Sequence, residues 1–200
     1  MKNNYEIQVE QSAQLFLTYD QQPMIERFNL KYDKDFLYIV YFGTQYRIDR
    51  KTGVVSCMDG RIANFNEAMT IYDVLCCSKD GATLSEEWVL LGSLHPSSNF
   101  TSENSMFDKF ARLLSGRMDE LKKACEKLCG TPLTKADVGY AFDAFPFLPM
   151  VFQFWDADED FEASVKFLFD TNTLDFLHFE TAWYVVSHLT DLIKSEMNIT

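Results

Sequence analysis

Carboxylates are concentrated between two aromatic-rich apolar runs in the C-terminal part of the chain, within residues 144–170. Four of them occupy alternate positions: Asp156, Asp158, Asp160 and Glu162. An EF-hand calcium loop that began at Asp156 would need glycine at its sixth position and glutamate at its twelfth. Phe161 and Phe167 occupy these positions, so the EF-hand pattern is not met. We expect a solvated loop that discourages the adjoining strands from pairing with other chains; a less regular divalent-cation site stays open.

Five cysteines offer a second kind of metal ligand. Cys125 and Cys129 stand four positions apart on one predicted helix, a spacing compatible with two ligands of a thiolate site. Both follow the apolar stripe of that helix, and free cysteine is among the most buried residue types, so core packing is favoured. Cys76 and Cys77 are adjacent and would point about 100° apart on a helix. Because the sequence has no CxxC pair, a zinc or iron–sulfur site would need cysteines from distant segments to converge.

The three histidines give no metal-binding pattern. Ten positions separate His178 from His188, which places them roughly 80° apart around a helix axis and argues against a shared metal. We expect His178 to cap the final helix and His188 to interact with Asp191. A catalytic pair between His95 and Cys57, Cys76 or Cys77 stays open, because such partners meet only in the fold.

The common catalytic motifs are missing from the sequence. There is no G-x-x-x-x-G-K-[ST], no G-x-G-x-x-G, no G-x-S-x-G and no H-E-x-x-H. These patterns cradle nucleotide phosphates, bind dinucleotides, or build hydrolase and metalloprotease centres. The sequence therefore favours a non-catalytic role.

The net charge of −12 is unevenly distributed. Residues 131–200 contain three lysines and twelve carboxylates, so they carry nine of the twelve net negative charges. Nucleic acids and anionic membranes select for lysine and arginine, so we expect neither as a partner. The N-terminus lacks the apolar core of a signal peptide, and the longest apolar stretch, residues 144–152, is far shorter than the roughly 20 residues that span a bilayer. With its odd number of cysteines, the chain is predicted to be cytoplasmic.

The spacing of apolar residues predicts both helices and strands. Residues 4–18 have a helical period, and a short helix should end at Phe28. The runs 36–42 and 46–49 predict two strands of an antiparallel meander, in which Gly53 closes the next turn at positive φ. Further along we expect a helix capped by Asn64 or Asn66, then an extended piece at 88–91 and a polar loop at 97–105. The next apolar stripe predicts a helix over 106–128, capped by Thr101 or Ser102 and broken or softened at Ser115-Gly116. A final helix should cover about 178–197.

Residues 144–170 are predicted to form a strand, the acidic connection and a second strand. A chain of 200 residues with 47% hydrophobic composition can bury its own core, so we predict one domain over residues 1–200. The fold class is α+β: a mostly antiparallel sheet, made of the N-terminal meander and the C-terminal Phe-rich hairpin, with helices packed on it.

The segments FGTQYRIDRKTGVVS, IYDVLCC, EEWVLLGSL and PMVFQFWDADEDFEASVKFLFDTNTLDFLHFETAW together resemble an uncharacterised prokaryotic family catalogued as domain of unknown function 3786. The similarity covers nearly the whole chain, and FWDADEDF followed by FLFD is its most specific part. The pattern of that family falls on Trp155, Asp158, Glu159, Phe161 and Asp170. The resemblance implies that some relatives carry a four-cysteine iron–sulfur module, which this sequence lacks. It implies a fold unit and a prokaryotic cytoplasm, and no activity.

We therefore expect a non-catalytic accessory or interaction domain of the bacterial cytoplasm. Ten of the 18 phenylalanines lie between Phe142 and Phe179, so the hairpin and the final helix should present an aromatic and acidic surface to a protein partner. The candidate binding residues are Trp155, Asp156, Asp158, Glu159, Asp160 and Asp170. The alternative is a metal- or cofactor-handling protein, with an enzymatic role open, that holds an iron–sulfur cluster or a divalent metal on cysteines or the acidic loop. The sequence determines neither the partner nor the oligomeric state.

Overall fold

The computed structural model describes residues 3–95 and 103–199, with the side chains of residues 103–106 left out. Most of the predicted polar loop at 97–105 lies outside the described residues, as do its proposed caps Thr101 and Ser102. The described helices are α1 (Asn4–Phe16), α2 (Gln21–Phe28), α3 (Phe65–Cys77), α4 (Glu103–Leu114), α5 (Met118–Lys127) and α6 (Phe179–Glu196).

The described strands form two antiparallel sheets, and the α+β class is confirmed. The first sheet has the order β1 (Lys31–Tyr32), β2 (Phe36–Tyr41), β3 (Thr44–Asp49) and β4 (Val55–Cys57). The second has the order β5 (Trp88–Leu90), β9 (Ser164–Asp170), β8 (Leu148–Trp155), β7 (Val138–Phe145) and β6 (Thr131–Leu133). The meander and the Phe-rich hairpin therefore belong to separate sheets and do not extend one another.

The first sheet is the predicted meander, and a close helix contact fixes its last turn. Gly53 has φ +75°, as expected, and a Cβ atom there would lie 2.5 Å from the carbonyl oxygen of Ala13 in α1. A side chain at this position would therefore both strain the backbone and displace the helix. The hydroxyl of Tyr72 in α3 donates to the carbonyl of Gly53 at 2.8 Å, which anchors the turn from its other side.

The second sheet corrects the prediction for the segment before the acidic connection. The apolar run at 144–152 was expected to belong to one strand, but it contains the end of β7, a turn at Pro146-Phe147 and the start of β8. Phe145 pairs with Leu148 across the turn. Because Pro146 has no N–H to offer a ladder, the chain reverses there. The acidic connection therefore joins β8 to β9, the third and fourth strands of a second meander that runs from β6 to β9.

Helices α3 and α6 pack against each other. α1 covers α3, α4 lies on β9, and α5 contacts β7 and α6. The two sheets meet where the backbone N–H of Phe42 donates to the carbonyl of Ala144 at 2.9 Å. One hydrophobic core contains residues of both sheets and of all six helices.

Several predicted boundaries are confirmed because they depend on local signals. Asn64 caps α3 and forms a capping box with Glu67. Gly116, with φ +74°, separates α4 from α5. His178 is the N-cap residue of α6, although its side chain makes no capping bond. No helix in the described part of the chain is long and apolar enough to cross a membrane.

Candidate functional site

Residues 156–162, here called the acidic loop, connect β8 to β9 and are anchored at their first residue. Asp156 accepts hydrogen bonds from the Ser115 hydroxyl at 2.6 Å and from the backbone N–H of Gly116 at 3.0 Å. Burial raises the pKa of Asp156, but these bonds outweigh it and hold the pKa below its ordinary value. At the far end, Glu162 lies 3.4 Å from Arg112 of α4. The loop is thus attached to the α4–α5 turn.

The middle of the acidic loop is a tight turn that displays a phenylalanine. Asp158 Oδ1 accepts the backbone N–H groups of Asp160 and Phe161, both at 2.8 Å, and the Asp158 N–H donates to the Phe161 carbonyl. The Phe161 side chain is 74% exposed. Glu159 and Asp160 point into solvent beside it. The loop therefore holds one large apolar side chain among carboxylates in a fixed backbone conformation.

The aspartate at the end of β9 lies apart from this turn and holds the sheet edge together. Asp170 is 1% exposed. Its oxygens accept the backbone N–H groups of Ser85, Glu86 and Asn172 at 2.7–3.0 Å, and the Ser85 hydroxyl at 2.9 Å. Burial raises the pKa of Asp170, whereas these donors lower it below its ordinary value. Asp170 thus fixes the segment that leads into β5.

The other aromatic residues of the hairpin are mostly buried. Trp155 is half-buried, and the Lys166 ammonium lies 4.8 Å from the centre of its ring. The rings of Phe152, Phe154, Phe167 and Phe169 have between 0% and 2% exposure. These rings fill the core. Of the six candidate binding residues, Asp158, Glu159 and Asp160 lie in the turn that displays Phe161, Trp155 ends β8 under Lys166, and Asp156 and Asp170 serve as anchors.

The cysteines lie in three separate places. Cys125 is buried in the core, as expected, and burial raises the pKa of its thiol to about 12. Cys129, four residues later, is exposed, so the expected core packing is wrong for this residue: α5 ends at Lys127, and Cys129 lies beyond it with φ +60°. Cys57 accepts a hydrogen bond from Arg61 at 2.9 Å. All five cysteines are free.

Cys76 and Cys77 occupy the third place, where Cys77 lies beside His178, a histidine that the sequence analysis did not pair with any cysteine. Asp73 and Cys77 share a face at the end of α3, and the backbone N–H of His178 donates to Asp73 Oδ2 at 2.8 Å. His178 Nδ1 is 2.6 Å from Asp73 Oδ1. Burial and the Asp73 carboxylate raise the pKa of the Cys77 thiol to about 11. The cysteine–histidine pairing that sequence reasoning considered involved His95, which instead lies against the ring of Phe179.

Among the described side chains, these three form the one group of three or more His, Cys, Asp and Glu residues that is close enough to share a metal ion. Their ligand atoms, one each from Asp73, Cys77 and His178, lie within 4.8 Å of one another. The acidic-loop carboxylates do not form such a group. Asp73 and His178 are 105 positions apart, so no local spacing could have indicated the cluster.

A buried polar network lies between the first sheet, α3 and α6. Glu67 is 3% exposed and accepts hydrogen bonds from the Tyr46 hydroxyl at 2.6 Å and from both terminal nitrogens of Arg61 at 2.8 and 2.9 Å.

His188 was expected to interact with Asp191. Its ring is buried and stacked on Tyr41 at 4.8 Å, and burial lowers its pKa. Asp191 acts on the ring only through its charge.

The comparisons with known proteins identify a family whose function is not described. The model of the family described as "Domain of unknown function (DUF3786)" matches residues 20–191. No curated protein and no solved structure matches the chain. The matched range contains both the acidic loop and the cluster of Asp73, Cys77 and His178.

Proposed function

The chain belongs to the DUF3786 family, whose description assigns no activity, and from this premise we propose that it is a binding module that presents the acidic loop to a basic protein partner. The observation that carries the proposal is the display of Phe161, 74% exposed on the turn that Asp158 fixes. Scattered exposed apolar residues are normal on protein surfaces. An aromatic side chain on a rigid turn is different, because little conformational entropy is lost when it binds.

The charges around Phe161 support a basic partner. Asp158, Glu159, Asp160 and Glu162 are exposed next to it, and the Glu162 contact with Arg112 neutralises only part of their charge. Complementary charges speed association and suppress wrong partners. The fitting partner presents an apolar pocket rimmed by lysine or arginine. Phe161 fills the pocket as the anchor, and the carboxylates pair with the rim.

The anchoring of the acidic loop explains how the module keeps its shape. Asp156 attaches one end to the α4–α5 turn, and β8 and β9 continue into the core. The loop therefore offers a preformed surface. We also propose a bacterial cytoplasmic location, which the five free cysteines support because reducing compartments preserve thiols.

Selection of a random peptide display library against the full chain tests the proposal. We expect the enriched peptides to combine an aliphatic or aromatic residue with flanking lysine or arginine. Their affinity for Phe161→Ala should be at least about 30-fold lower, since interface anchors contribute about 2 kcal/mol or more. Affinity for the wild type should fall as salt screens the carboxylates.

Tyr32→Ala is the matched control, because Tyr32 is also exposed, at 55%, but lies on β1 of the other sheet. It should bind the selected peptides as the wild type does. Equal binding by Phe161→Ala and the wild type, or selected peptides without basic residues, would overturn the proposal.

A further inference from the structure

Asp73, Cys77 and His178 bring a carboxylate, a thiol and an imidazole together where the end of α3 meets the start of α6. We propose that these three side chains hold a divalent cation of the zinc class. The site lies outside the acidic loop and shares no residue with it. It gives the protein a metal-binding capacity in addition to the proposed partner binding.

The ligand set selects the class of metal. Zinc and its neighbours accept mixtures of sulfur, nitrogen and oxygen donors, whereas magnesium and calcium prefer oxygen alone. Ligand atoms bound to one tetrahedral zinc are about 3–4 Å apart, given bond lengths of about 2.0–2.3 Å. The ligand atoms of the cluster lie within 4.8 Å of one another, so small side-chain rotations suffice to close the site.

Hydrogen bonds beside the cluster fix the two segments that carry it. The Ser78 hydroxyl donates to the Phe176 carbonyl at 2.6 Å, and the Lys79 N–H donates to the Asp175 carbonyl at 2.8 Å. Lys79 and Asp175 also form an ion pair at 2.5 Å. The ligands on α3 and the ligand at the start of α6 are therefore positioned before a metal binds, which is the property expected of a supported metal site.

The surroundings of Cys77 favour metal binding over use of its thiol as a nucleophile. Cys77 lies beside the Asp73 carboxylate, whereas reactive cysteines lie beside cationic groups that stabilise the thiolate. A bound cation reverses this preference, because its charge stabilises the thiolate. On binding, the Sγ–H bond of Cys77 breaks, Sγ donates its electron pair to the metal, and the proton leaves to water.

Solvent can reach the cluster, as expected of a site that exchanges its metal or keeps a free coordination position. The His178 side chain is 64% exposed, and Cys77 is also exposed. Three protein ligands leave a fourth zinc position for water or another small ligand. Asp73 is only 13% exposed, and its contact with His178 Nδ1 at 2.6 Å holds the carboxylate and the imidazole side by side before a metal binds.

Zinc and cobalt titrations of the full metal-free chain test the proposal. We expect calorimetry with Zn²⁺ alone to give one ion per chain. Co²⁺ should produce a thiolate-to-metal charge-transfer band that Zn²⁺ abolishes. Cys77→Ser should remove this band. Because Asp73 and His178 are direct ligands, Asp73→Asn or His178→Gln should weaken zinc binding by at least the roughly 10–100-fold that loss of an outer-sphere partner causes.

Cys129→Ser is the matched control, because Cys129 is exposed but lies outside the cluster. It should keep the band, and Phe161→Ala should bind zinc normally, so that the two proposals can fail separately. Circular dichroism without metal checks that each variant folds; Cys77→Ser changes only an exposed side chain and remains informative if Asp73→Asn unfolds. Absence of zinc binding, or a cobalt band that survives in Cys77→Ser, would overturn the proposal.

Discussion

At the scale of single residues, the same carboxylate chemistry serves three different purposes in this protein. Glu159 and Asp160 remain in solvent, Asp170 is saturated by backbone donors, and Glu67 carries its charge inside the fold. Burial raises the pKa of Glu67, but Arg61, Tyr46 and the backbone N–H of Asn64 outweigh burial and hold the pKa below its ordinary value. Burial, donors and neighbouring charge therefore decide what each carboxylate does.

Replacing Glu67 with glutamine should lower the free energy of unfolding at pH 7 by about 2–4 kcal/mol, because Arg61 and Tyr46 lose a charged acceptor. We expect less than the loss of a fully buried pair, since the Arg61 side chain is 48% exposed. The folded pKa lies below the unfolded value of about 4.3. The stabilisation is therefore complete above that pH and is lost as the pH falls through the folded pKa.

Denaturant unfolding of the wild type and Glu67→Gln at pH 7 and about pH 3 measures this difference, which should shrink at the lower pH. Glu120→Gln is the control, because Glu120 forms a surface pair with Arg117 three residues away. A destabilisation that is the same at both pH values would contradict the charged role of Glu67.

At the scale of elements, the second sheet separates stability from recognition within a few residues. β8 and β9 direct phenylalanines into the core in register, with Phe152 opposite Phe167. The acidic loop that joins them displays Phe161 to solvent instead. The same residue type therefore stabilises the fold in the strands and forms the proposed recognition surface in the loop.

Phe152→Ala should destabilise the protein by about 3–5 kcal/mol, because it leaves a cavity where a fully buried ring packed. Phe161→Ala should leave the melting temperature nearly unchanged, since its ring is mostly in water. Thermal unfolding followed by circular dichroism compares the two variants. A normal melting temperature for Phe152→Ala, or a large loss for Phe161→Ala, would contradict the assignment of one ring to the core and the other to the surface.

At the scale of the whole molecule, two sheets share one core. α3 and α6 pack together, and the Phe42–Ala144 hydrogen bond joins the sheets directly. Because apolar residues of both sheets belong to this core, neither sheet can lose its packing without exposing the other. If residues 1–200 form one domain, as predicted, the chain should unfold in one cooperative transition.

Denaturant unfolding should show a single transition at the same midpoint in tryptophan fluorescence and far-UV circular dichroism. The three tryptophans, Trp88, Trp155 and Trp183, lie in β5, β8 and α6, whereas circular dichroism also reports the first sheet. Ile48→Ala in β3 should lower the free energy of unfolding by about 2–4 kcal/mol, because Ile48 is fully buried. Both signals should report the same decrease. A shift confined to circular dichroism would show two independent units.

The difference between local and long-range information explains which predictions were accurate. The helices, the meander, the positive φ of Gly53 and the cap at Asn64 depend on residues close in sequence, and the structure confirms them. The division of the apolar run at Pro146 was missed, because continuous apolar composition does not show where a buried strand ends. The composition of the chain predicted the acidic loop, but it did not predict that Phe161 would be exposed.

The sequence by itself determined the family, the α+β class and the order of most elements, because period, turn chemistry and capping are properties of neighbouring residues. Only the tertiary structure decided which polar residues meet. Asp73 and Cys77 meet His178 because α3 packs against α6, and Asp170 is anchored because β5 pairs with β9. Such contacts form because apolar faces of distant segments pack together. The spacing of residues along the chain therefore does not indicate which polar residues will become neighbours.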